Sequence, residues 1–92
     1  MKVYLVMYLF AYDGESIEGI YSTLEKAKVK LRELYEKTKE EVEMLSSLDA
    51  KIFGYGVKWE GDSKYIMYHK DTFDNDKETP DKIFYIKEYE VL

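Results

Sequence analysis

His69 is the single histidine of a 92-residue chain without cysteine. These two facts confine the chemistry available to it. Thiolate metal sites, thiol nucleophiles and disulfides are excluded. Nucleophilic catalysis by serine or threonine needs a base held in turn by an acid, and the spacing of residues around His69 suggests no such set. Glu60-Gly61-Asp62-Ser63-Lys64 has the acid-x-lysine form of metal-dependent nucleases, yet its Gly61-Asp62 is already explained as a hairpin turn. Asp74-Asn75-Asp76-Lys77-Glu78 spaces carboxylates as calcium loops do, but lacks the central glycine and the closing bidentate glutamate. Gly54-Tyr55-Gly56 is followed by neither lysine nor helix, as a phosphate loop would be. The expectation is a protein that is no enzyme and holds neither metal nor cofactor.

Carboxylates are nevertheless concentrated. Asp71, Asp74, Asp76, Glu78 and Asp81 share eleven residues with one basic side chain, Lys77. That run holds nearly all of the formal net charge of −5. An acidic chain is unsuited to nucleic acid, whose recognition needs basic surface. The five carboxylates are candidates for contact with a basic protein partner, which such a cluster would attract.

Apolar residues make up 46% of the chain, enough for a core, and the length suits one domain over residues 1–92. No stretch of about 18 apolar residues is present, so no membrane span is expected. The start of the chain does not read as a signal peptide, and residence in a cytoplasm is expected. Glutamine is absent, asparagine occurs once, and charged residues reach 36%; that is the composition of a thermophile.

The elements that must position these residues follow from the apolar pattern. Residues 3–10 alternate as a strand whose two faces are both apolar: Val3, Leu5, Met7 and Leu9 on one, Tyr4, Val6, Tyr8 and Phe10 on the other. Asp13-Gly14 predicts a two-residue hairpin turn that sets Phe10 opposite Ile17 and Val6 opposite Tyr21. Ser22-Thr23-Leu24-Glu25 has the form of a capping box with Ser22 as N-cap. Behind it Leu24, Ala27, Leu31, Leu34, Thr38, Val42, Leu45 and Leu48 repeat every three or four residues, predicting a helix of ~37 Å. Two strands joined at Gly61-Asp62 follow, with Gly54 and Gly56 opposite His69 and Met67, and a last strand over 82–92. The fold class is α+β: a two-layer, mainly antiparallel five-stranded sheet, ββαβββ in sequence, with one long helix on one face.

The aliphatic side of the first strand is expected under the helix. The tyrosine side then lacks a cover, and Tyr4, Tyr8, Phe10 and Tyr21 become the candidate interface of a homodimer. Two other uses compete: a structural or assembly protein that self-associates through the same face, and a small-ligand domain with a pocket at Gly54, Gly56 and His69.

Residues 2–27, with Gly-Ile-Tyr-Ser-Thr-x-Glu-Lys-Ala at the strand-to-helix junction, and the late run 84–92 with Ile-x-Glu-Tyr-Glu-Val resemble short single-domain proteins of viruses and phages. The nearest group is the small acidic proteins of archaeal rod-shaped viruses, some of which are anti-CRISPR proteins. These include dimers that bind the large subunit of a type I-D interference complex. The resemblance implies a non-enzymatic viral antagonist whose partner is a host defence protein, such as a CRISPR effector subunit. It assigns no residue in the helix or the acidic run.

Overall fold

The computed structural model describes the backbone of residues 1–10, 14–49, 53–71 and 77–92. Its elements run β1 (Lys2–Phe10), β2 (Gly14–Tyr21), α1 (Leu24–Asp49), β3 (Phe53–Trp59), β4 (Lys64–Asp71) and β5 (Lys77–Glu90). The strands form one antiparallel sheet in the order β2-β1-β5-β4-β3, with α1 on one face, as the alternation and hairpin signals require.

Strand β5 is the spine. Its 14 residues pair with β1 from Lys82 to Glu90 and with β4 from Lys77 to Tyr85. The β1–β2 and β3–β4 hairpins are therefore staggered along it and overlap only beside Lys82 to Tyr85. That stagger, with a 26-residue helix above, gives a body of 50 × 22 × 21 Å.

The helix covers the face opposite to the one expected. Val6, Ala27, Leu31, Tyr65 and Phe84 form the buried core, with Tyr4, Tyr8, Tyr21, Leu34, Tyr35, Val57, Trp59 and Ile86 packed on it. Rings follow one another beneath α1. Phe84 lies 4.8 Å from Tyr8 and stacks on Tyr65 at 4.8 Å, and Tyr65 meets Trp59 at 5.1 Å and Tyr35 edge-on at 5.4 Å. Aromatic rings fill more volume per residue than aliphatic chains, and the partners that complete the layer, Tyr65 and Phe84, arrive from β4 and β5. Tyr4, Tyr8 and Tyr21 are thus core-packing side chains and Phe10 is half-buried against Tyr8, so the expected dimer face is corrected.

Both hairpins differ from the two-residue expectation. Phe10 pairs with Gly14 and Met7 with Ile17, and a bulge opposite Val6 and Met7 restores Tyr4 opposite Tyr21. Gly14 takes φ +79°, a conformation glycine adopts without strain. In the second hairpin Gly54 faces Lys70 and Gly56 faces Tyr68, with Gly61 at φ +74°. A one-residue slip moves a side chain to the other face. His69 consequently shares the helix side with Tyr55, while Gly54 and Gly56 lie on the uncovered side, and the expected pocket is divided between two faces. A Cβ at Gly56 would lie 2.5 Å from Tyr68 Oη, because that ring lies across the glycine.

Helix α1 begins one residue later than the capping box implies. Thr23 Oγ1 accepts from Lys26 N–H at 3.2 Å, which makes Thr23 the N-cap. The helix runs unbroken through Thr38, a buried residue whose hydroxyl donates to Leu34 O at 2.8 Å. That bond uses its one proton, so Tyr65 Oη, 3.1 Å away, is the donor to Thr38 Oγ1. Two ion pairs pin the helix to the sheet: Lys28 to Asp62 at 2.9 Å and Glu41 to Lys82 at 2.8 Å. Among the described residues no helix is long and apolar enough to cross a membrane.

Candidate functional site

The acidic run divides on folding. Asp71 pairs with Lys77 at the ends of β4 and β5; Asp74 and Asp76, and the side chain of Asp71, lie outside the described residues. Glu78 stands on the uncovered face, where Lys58 Nζ bonds it at 2.5 Å and Lys70 Nζ lies at 3.9 Å. The hydrogen bond from Lys58 holds the Glu78 carboxyl below its ordinary value. Asp81 turns to the helix side, where both carboxylate oxygens lie 2.9 Å from His69 Nδ1. Two of the five candidate carboxylates are therefore already matched by cations or a ring nitrogen of the same chain, on opposite faces.

His69 and Asp81 join β4 to β5 beside a shallow cavity of about 280 Å³, lined also by Phe10, Leu45, Tyr55 and Met67. Sequence reasoning did not pair them. They stand 12 residues apart across the β4–β5 bulge, and the only signal was that hairpin strands bring such residues close.

The uncovered face collects Val3, Leu5, Met7 and Leu9 with Ile17, Ile20, Ile66, Ile83, Tyr85 and Tyr89, since these share register positions across the strands. At its centre Met7 and Ile66 are buried by their neighbours, while Ile17 (55% exposed) and Ile20 (63%) stand out on β2 and Tyr89 (56%) near the end of β5. A cavity of about 460 Å³ opens where the β3–β4 turn meets β5, lined by Leu9, Glu15, Glu60, Lys64, Ile83 and Tyr85 among others. Tyr85 Oη donates to Glu15, and that bond pushes the tyrosine up to about 12. The larger shift belongs to Tyr65, which burial pushes up. Among the described residues no group of three potential metal ligands converges.

Phe10, Leu45 and Tyr55 line one cavity with Asp81, toward the end of β4 and the start of β5. The last turn of α1 at this end has no basic residue.

Residues 1–54 match the family model described as a domain of unknown function, DUF7336. The chain belongs to the DUF7336 family. The matched DUF7336 region spans β1, β2, α1 and the start of β3. It contributes Val6, Ala27 and Leu31 to the core, which Tyr65 and Phe84 complete from beyond it. No curated protein and no solved structure matches the chain.

Proposed function

We propose that this DUF7336 chain is a non-enzymatic antagonist that binds a basic, nucleic-acid-handling host protein through the acidic run 71–81. One observation carries the reading. Within the acidic run Glu78 and Asp81 are engaged by Lys58 and His69 of the same chain, whereas Asp71, Asp74 and Asp76 follow one another in sequence from the end of β4. A local excess of negative charge steers a basic surface to it. The contact therefore rests on Asp71, Asp74 and Asp76, with Glu78 and Asp81 serving the fold through Lys58 and His69. The resemblance to small viral proteins makes a host defence protein the partner class to test.

Titration calorimetry against the large subunit of a type I-D interference complex tests it. Affinity is expected to fall as salt rises, because exposed charges are screened beyond ~8 Å at physiological ionic strength. The pair Asp74→Lys and Asp76→Lys is expected to abolish binding with the melting transition unchanged. Undiminished binding by the folded double variant overturns the acidic contact, and no binding by the parent chain overturns the target.

A further inference from the structure

The two outer strands of the sheet are built differently. β2 carries a bulge and the carboxylates of Glu15 and Glu18, devices that keep a sheet edge from accepting another strand. β3 pairs with β4 without interruption from Phe53 to Trp59, has no proline, and has one charge, Lys58. That charge is met within the chain by Glu78. Among the described residues no strand lies beyond β3.

Which main-chain groups β3 presents follows from one bond. Glu60 N–H donates to Lys64 O at 2.9 Å, so Glu60 and Lys64 are a hydrogen-bonded pair. Bonded and non-bonded pairs alternate along an antiparallel ladder. Lys58 and Gly56 therefore turn their N–H and C=O groups toward β4, and Val57 and Trp59 turn theirs outward. Among the described residues, this edge offers its donors and acceptors to no other strand.

We propose that β3 is a homodimerisation edge. A second copy adds its own β3, antiparallel, about a two-fold axis at Val57, and the two sheets become one of ten strands. The second copy is favoured as occupant because β3 complements itself in this register. Val57 meets Val57. Lys58 falls opposite Gly56, so no like charges oppose each other across the strands. The absent Cβ of Gly56 lets the Tyr68 ring lie across the strand, and Lys58 Nζ is already 5.3 Å from that ring in its own chain.

Size exclusion with light scattering, on the parent chain and two variants, tests this. The parent is expected at twice its 11.0 kDa chain mass. Val57→Pro removes an N–H that no strand of its own chain uses and is expected to run as a folded monomer. Val57→Ala loses comparable packing but keeps the N–H, and is expected to remain a dimer. Should Val57→Pro fail to fold, hydrogen exchange on the parent chain decides. The Val57 and Trp59 amides should lose protection on dilution while that of Lys58, bonded to β4, keeps its own. A parent chain that is monomeric up to ~100 μM, far above the Kd of a stable dimer, overturns the proposal. So does a dimer whose Val57 amide exchange ignores dilution.

Discussion

Thr38 lies among apolar neighbours and is useful there for a single reason: it accepts the proton of Tyr65 after giving its own to Leu34 O. The two ends of this contact are not equivalent. Thr38→Val leaves the buried Tyr65 hydroxyl with a proton and no acceptor, which costs about 2 kcal/mol. Tyr65→Phe removes the donor and leaves Thr38 still bonded to Leu34, at about 1 kcal/mol. Urea denaturation of both variants checks the order, and the reverse order would place another acceptor at Tyr65. The contact also explains why a polar residue occupies an apolar helical position, something the repeat of Leu34, Thr38 and Val42 could mark only as an interruption.

At the scale of elements, helix α1 starts where a side chain, and not a motif, closes its first turn. Thr23→Ala is expected to cost about 1 kcal/mol in thermal or urea unfolding, and Ser22→Ala close to nothing. Equal costs would return the cap to Ser22. Element order and types were legible in the sequence because alternation, glycine turns and a three-four repeat each act within a few residues. Face and register were not. Asp13-Gly14 and Gly61-Asp62 announce turns without setting loop length, and each register slipped from the two-residue expectation. β1 is apolar on both sides, so its own residues give no preference for the layer under α1. Phe84 and Tyr65 decide it, from strands more than 50 residues further along.

Across the whole molecule, the same long-range pairing governs how much of the candidate site could be read. The acidic run from Asp71 to Asp81 stood out as a block, but which carboxylates remain for a partner depends on Lys58 and His69, which reach Glu78 and Asp81 only through sheet register. Joined antiparallel through β3, two copies would overlap along their β3–β4 halves, point their β4–β5 junctions in opposite directions and carry their Lys2–Glu90 ends at the extremities.

The position of β5 has a consequence in time. It is the last strand in chain order and the middle strand in space, with Lys2 paired to Glu90. Each hairpin can close locally, yet the two share no strand until β5 is made. The aromatic layer of Tyr8, Tyr65 and Phe84 waits for it with rings exposed. Such distant pairing places refolding from urea in the millisecond-to-second range by stopped-flow fluorescence of Trp59; a microsecond phase carrying the full amplitude would mean that the core forms before β1 and β5 meet. During synthesis, then, this chain spends most of its emergence as two sticky halves, and its vulnerability to aggregation is set by how quickly one strand slips between them.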